Sequence, residues 1–337
     1  MTNQTMRLIL MGTGPFAVPS FEALRTAGHD IALVVTKPLP AVKSRKGPPP
    51  SPVRQWALDH DLPVYDPLSI NEEAAIDRTT KIEADLLVVC DYGQILKPAA
   101  LGAARLGGIN LHGSLLPQYR GAAPVQRSLL SGDAVTGVSV IHMTPRLDGG
   151  PILCTRSTPI SDDETAGELE DRLSAIGVDA TLEAIDALTT WDGASPIGEK
   201  QNAELITKAP RLSKAEAEID WSRTSRQVDC HVRGMQPWPV AFTHIAVHAD
   251  KPPIRLAITK IATKVELDAV SELSDDVLSP DKAEPGMIVS AKKGLFVATG
   301  DGTIEIKRLK PAGKKEMDAM EFVRGHHLKT EMRFICR

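Results

Sequence analysis

The stretch Ala84-Asp85-Leu86-Leu87-Val88-Val89 constrains the fold of this chain more than any other. A nearly unbroken apolar run of strand length suits a strand whose two faces are both covered, as in a parallel sheet sandwiched between helices. The text around it repeats that rhythm. Arg7–Met11, Asp30–Val35 and Gly108–His112 read as further strands. Pro15–Ala27, with Phe16, Ser20, Leu24 and Ala27 at helical spacing, reads as a helix. So does Pro52–His60, with Val53, Trp56 and Ala57 on one face. The alternation predicts an α/β fold on an open parallel sheet with helices on both sides.

Gly137–Met143 adds an alternating strand and Glu168–Leu188 a long helix. From Trp191 to Lys208 the text turns to Asp, Gly, Ser, Pro, Asn and Glu, which reads as a linker between domains at 1–190 and 209–337. The remainder is strand-like. Ala241–Ala249, Ile254–Ile261, Leu295–Thr299 and Thr303–Leu309 are short candidate strands, the last two joined by the turn Gly300-Asp301-Gly302. They predict a small β-barrel. The acidic segment Val265–Pro285 reads as a surface loop.

A chain of 337 residues is long enough for two cores of this kind without covalent staples. Cys90, Cys154, Cys230 and Cys336 are far apart and form no CxxC pair, which argues against a zinc site or a disulfide framework and fits a reducing compartment. The pairs His244/His248 and His326/His327 lack further ligands at metal spacing, so no metal is expected. Met1–Gly12 lacks a secretory pattern, and Leu8–Met11 is too short to span a bilayer, so the expectation is a cytoplasmic protein that does not meet a membrane. The net charge of −4 draws no nucleic acid globally, so any such contact must come from local basic patches.

Gly12-Thr13-Gly14-Pro15-Phe16-Ala17 follows a strand, opens a helix and satisfies the GxGxxA dinucleotide fingerprint. The acid expected at the end of the second strand is missing, and Lys37 stands near that place. Three readings stay open: a dinucleotide site, an anion site for a substrate phosphate, or glycines that simply let a strand turn into a helix.

The chemistry concentrates in Gly107–Pro117. Residues two apart on a strand share a face, so Asn110 and His112 project together at the end of a candidate parallel strand, where open α/β sheets bind ligands. Arg146-Leu147-Asp148-Gly149-Gly150-Pro151 supplies a carboxylate before two glycines. These three side chains suit acyl transfer to an amine. Asn110 can donate to a developing oxyanion, protonated His112 can add a second donor, and Asp148 can orient the imidazole and assist removal of the amine proton. No covalent nucleophile is needed, and no GxSxG occurs. Taken singly, a strand-end His and an Asp before Gly-Gly are each also explained as structural residues.

The longer text resembles the folate-dependent formyltransferase family. The motifs are Asn110-x-His112-x-Ser114-Leu115-Leu116-Pro117, Tyr119-Arg120-Gly121 and Leu147-Asp148-Gly149-Gly150. Cys90–Leu96 and, in the second half, Ile219-Asp220-Trp221-Ser222, Pro237-Trp238-Pro239 and Pro311-Ala312-Gly313-Lys314-Lys315 extend it. The resemblance implies a Rossmann-like catalytic domain followed by an OB-like barrel. It implies 10-formyltetrahydrofolate as formyl donor, and the α-amino group of methionine on initiator tRNA as acceptor, in support of translation initiation. It places the catalytic roles on Asn110, His112 and Asp148. It places folate contacts on Ser114, Leu115, Leu116 and Pro117 and on Val89, Tyr92, Gly93 and Ile95. It assigns tRNA contacts to Lys43, Arg45 and Lys46 in a basic loop and to Lys314 and Lys315 in the barrel. A monomer without NAD(P) is the expectation. Two departures stand out: Lys37–Gly47 lacks the family's usual basic-loop text, and Cys90-Asp91 replaces small apolar residues. Formylation of another amine, a formyl-folate hydrolase, an NADP oxidoreductase and a non-catalytic RNA-binding module are the competing functions.

Overall fold

The computed structural model describes residues 5–40, 48–248, 250–263 and 283–336. The chain divides into two compact units. The first holds the described residues up to Val125 together with Val135–Pro159 and Glu168–Arg211. The second holds Gln126–Ala134, Ile160–Gly167 and the described residues from Leu212 onward.

Along the chain the elements run β1 (Arg7–Gly12), α1 (Val18–Thr26), β2 (Asp30–Val35), α2 (Pro52–Asp59), β3 (Val64–Tyr65), α3 (Glu73–Thr80), β4 (Leu86–Cys90) and α4 (Pro98–Leu101). Then follow β5 (Gly108–His112), β6 (Arg120–Gly121), α5 (Pro124–Leu130), β7 (Val135–His142), β8 (Ile152–Pro159), α6 (Ala166–Thr189) and β9 (Lys208–Ala209). The main sheet of the first unit has the order β3-β2-β1-β4-β5-β7-β8. Its first five strands are parallel, as the apolar runs predict; β7 and β8 add an antiparallel edge. Every residue of β4 is buried, the burial expected of a strand covered on both faces.

Two close approaches hold this unit together where the site is built. A Cβ on Gly12 would stand 2.8 Å from the Cys90 carbonyl and 2.9 Å from the Phe21 ring, so β1, β4 and α1 converge on a position only glycine fits. Leu111 on β5 presses against α6 at Gly177, where a Cβ would meet its Cδ2 at 2.7 Å. With Leu111 turned toward α6, strand alternation sends Asn110 and His112 to the other face.

In the second unit α7 (Ser225–Gly234), β10 (Phe242–Ile245), β11 (Ile254–Ala262), β12 (Ile288–Ser290), β13 (Leu295–Ala298), β14 (Thr303–Pro311), β15 (Met317–Asp318), α8 (Ala319–His326) and β16 (Phe334–Ile335) follow one another. The antiparallel sheet runs β12-β13-β14-β11-β10-β16, with β15 beside β14, and curls into a nearly closed barrel-like sheet. Gly300-Asp301-Gly302 turns β13 into β14, with Ala298 opposite Thr303. Helices α7 and α8 interrupt a half read from sequence as strands. Most of the acidic segment Val265–Pro285 lies outside the described residues.

Two buried histidines, His29 and His231, contribute to a pH dependence. His29 accepts the Met6 backbone N–H on Nδ1 at 3.2 Å. Burial holds its imidazolium below the usual histidine range, with the Asp186 carboxylate opposing. His231 on α7 is lowered for the same first reason. An unfolded histidine titrates near about 6.5. As pH falls below that value the unfolded chain takes up protons that the folded chain refuses, so stability drops. The urea midpoint is expected to be lower at about pH 5.5 than at about pH 7.5. His29→Gln, a neutral acceptor at both, should lessen the fall; an unchanged fall would assign it elsewhere.

Candidate active site

Asn110 and His112 lie at the carboxyl end of β5, paired to β4 on one side and β7 on the other. Asn110 is half-buried, and the His112 side chain is 6% exposed. The His112 ring is held by Tyr119: Nε2 stands 2.9 Å from its carbonyl oxygen. A carbonyl only accepts, so Nε2 carries a proton, and Nδ1 is the ring atom left to face outward. Asp148 Oδ2 stands 3.9 Å from Nδ1, an ion-pair distance longer than a hydrogen bond. The orienting hydrogen bond on the ring therefore comes from Tyr119, with Asp148 across a gap.

Asp148 is placed by its own backbone. Its φ of 47° lies in the left-handed region, which Asp tolerates better than most residues. Its Oδ2 accepts the Gly121 N–H at 2.9 Å. The glycines after it are required by space. A Cβ on Gly150 would lie 1.7 Å from the His142 carbonyl, and one on Gly149 would lie 2.9 Å from Arg146 Cβ. The fold thus brings Asp148, distant in sequence, beside His112 on the strand that also carries Asn110.

The loop Ser114–Pro117 is stapled to β7. Ser114 Oγ donates to the Gln118 carbonyl at 2.7 Å, Ser139 Oγ donates to the Ser114 carbonyl at 2.8 Å, and Ser139 Oγ also receives the Leu116 N–H at 3.0 Å. Ser114 and Leu116 are buried, whereas Leu115 and Pro117 keep partial exposure. Of the other expected folate contacts, Val89 and Tyr92 are built into the core with Ile9, Met11 and Val35. Their side chains face protein, so contact with a ligand falls to their backbone. Burial pushes the Tyr92 phenol up, and its hydroxyl has no hydrogen-bond partner among the described residues. Gly93 and Ile95 are exposed.

At the glycine turn, the Thr13 N–H donates to the Asp91 carbonyl at 3.0 Å, and the Gly14 N–H bonds the Asp91 carboxylate. Asp91 keeps an exposed surface, yet its carboxyl is crowded by protein. Desolvation raises it above the usual range, while Lys37, the Gly14 N–H and Arg211 pull the other way. The Thr13 and Gly14 N–H groups of the turn are thus both engaged by Asp91.

Lys43, Arg45 and Lys46 lie outside the described residues. Lys314 and Lys315 are exposed in the turn after β14. Glu316 follows them and bonds Arg308 and Thr259, which draws its carboxyl below the usual range. Among the described residues no group of three or more His, Cys, Asp or Glu could hold a metal ion, and no helix is long and apolar enough to cross a membrane.

Sequence reasoning assigned no role to Arg120, Gln201 or Thr207. The Gln201 carboxamide bonds Arg120 and the Asp148 turn, and Thr207 bonds Tyr119 and Arg120. The segment read as a linker, 191–208, is thereby bonded to the first unit.

The Rossmann-like sheet carries Asn110 and His112 at the carboxyl end of β5, with Asp148 beside His112. The formyl transferase profile matches residues 6–185, and the profile of the formyl transferase C-terminal domain matches residues 211–327; the chain belongs to the formyl transferase family. It is 60% identical over 339 residues to the methionyl-tRNA formyltransferase of Rhodopirellula baltica, covering 98% of this chain and 97% of that one. It is 39% identical over 325 residues to the enzyme of the same name from Parvibaculum lavamentivorans, covering 96% and 98%. Among solved structures, an N-formyltransferase from Helicobacter canadensis shares the fold at a TM-score of 0.60 and 16% identity, over 90% of this chain and 99% of that one.

Proposed function

We propose that this chain transfers the formyl group of 10-formyltetrahydrofolate to the α-amino group of methionyl initiator tRNA, in the cytoplasm, as a monomer, with no metal and no dinucleotide. The observation that carries the reading is the 60% identity to a methionyl-tRNA formyltransferase, which runs through both units. A likeness confined to the first unit would leave the acceptor open. The Asp91 carboxylate seated on the glycine turn supports a scaffold role for Gly12–Ala17.

In this mechanism the amine attacks the formyl carbon. A C–N bond forms, and the carbonyl electron pair moves onto oxygen. Asn110 Nδ2 and protonated His112, through Nδ1, donate to that oxyanion. Tyr119 keeps the ring turned so that Nδ1 is the atom presented. Asp148 takes the proton of the attacking nitrogen, directly or through water. Collapse breaks the bond to the folate nitrogen, which leaves as an amine by taking up the proton that Asp148 accepted, directly or through water. Ser114–Pro117, with the backbone around Val89, Tyr92, Gly93 and Ile95, holds the folate.

Lys314 and Lys315, with Lys43, Arg45 and Lys46, neutralise tRNA phosphates, which gives affinity without reading bases. Replacing Lys314 and Lys315 with alanine should weaken tRNA binding and reduce its salt slope by about 1–2, leaving folate affinity unchanged. An unchanged slope in a filter-binding titration would remove both lysines from the interface. The proposal as a whole is tested by offering formyl-folate with methionyl initiator tRNA, charged elongator tRNA and free amines. Initiator tRNA should be formylated fastest; preference for a small amine would overturn the assignment.

A further inference from the structure

We infer that Gln201 is a positioning residue for Asp148, and that the strap carrying it, Glu199–Ala209, sets the geometry of the reacting pair; this rests on the formyl-transfer reading.

Gln201 is 9% exposed. Its Nε2 donates to the Asp148 carbonyl at 2.8 Å and to the Gly150 carbonyl at 2.7 Å. Its Oε1 accepts from Arg120 Nε at 3.1 Å and Nη2 at 2.6 Å. One carboxamide thus spends both its donors on the turn that presents Asp148, and its acceptor on the residue beside the Tyr119 carbonyl. A non-glycine residue at positive φ persists only where its surroundings over-determine it, and Gln201 clasps the Asp148 turn at two carbonyls.

The rest of the strap repeats the pattern. Glu199 and Ile152 exchange backbone bonds at 2.7 and 2.8 Å. The Thr207 hydroxyl accepts the Tyr119 N–H at 2.8 Å, and the Thr207 carbonyl accepts the Arg120 N–H at 2.9 Å. Lys208–Ala209 pairs in parallel with Arg120–Gly121. Tyr119 supplies the carbonyl that holds His112, and Gly121 the N–H that holds Asp148. The strap therefore bonds the segment that carries both anchor points of the His112–Asp148 pair, and Gln201 links Arg120 within that segment to the Asp148 turn. It touches neither His112 nor Asp148 by their side chains, so its effect passes through the turn.

The test places Gln201→Met, which fills the same space without polar atoms, on the wild-type and the Asp148→Asn backgrounds. On wild type, kcat should fall by roughly 10–100-fold with the KM for formyl-folate little changed, since a misplaced catalytic group costs rate rather than binding. On Asp148→Asn the same substitution should cost little further, because the two residues act as one unit. Gln201→Glu keeps an acceptor for Arg120 but cannot donate to the carbonyls, and should be as slow as Gln201→Met. It also serves as the variant if Gln201→Met fails to fold. An equal loss on both backgrounds, or a wild-type kcat for Gln201→Glu, would overturn the inference. A normal rate for Asp148→Asn alone would overturn the inference by removing Asp148 from the reaction, whereas absence of formyl transfer by the wild-type chain would sink the reading beneath it.

Discussion

Replacing Asn110 with alanine is expected to lower kcat by about 10²–10³-fold, the effect of removing one oxyanion donor, or about 2.7–4 kcal/mol of transition-state stabilisation. The side chain is half-buried at a strand end, and β5 is held by its backbone pairing to β4 and β7, so the substitution leaves the sheet intact. Because the oxyanion exists only after attack, kcat and kcat/KM should fall together. Steady-state kinetics with an unchanged thermal midpoint is the supporting result. A raised KM with normal kcat would move Asn110 from the transition state to ground-state binding.

The second large effect is expected at Asp148. Asn in its place keeps the shape, tolerates the φ of 47° and still offers an oxygen to the Gly121 N–H. What it loses is the charge and the ability to take a proton. A positioned general base contributes about 10²–10⁴-fold, so a fall of that size is expected for Asp148→Asn with folding unaffected. Asp148→Ala should damage both rate and stability, since it also abandons the Gly121 bond and fits the left-handed backbone less well. Comparing the two variants by rate and by melting separates the chemical role from the structural one. Asp148→Asn with near-normal turnover would leave the amine proton without its proposed acceptor.

The parallel core was legible because burial on both faces leaves continuous apolar text, as in Leu86–Cys90. The pairing of Asn110 with His112 was legible because strand periodicity is a local rule. The antiparallel edge was not, since periodicity does not encode strand direction. Helix α7 hid behind its polar residues, though its capping box from Thr224 to Gln227 was a readable signal. The orienting role of Tyr119 depends on a carbonyl, which no side-chain pattern advertises. Gln201 lay in a polar stretch with no periodicity, 53 positions from the residue it serves. The glycine turn resembles a dinucleotide site because the strand-turn-helix geometry is shared, and Asp91, whose carboxylate bonds the Gly14 N–H, lies on a different strand end.

The most direct test of the account is a rapid-quench single turnover of the purified chain with formyl-labelled 10-formyltetrahydrofolate and methionyl initiator tRNA. The account predicts label on the methionine α-amino group, formed at a rate that Asn110→Ala and Asp148→Asn each slow without changing the product. Label released as free formate at the same rate with and without tRNA would contradict it.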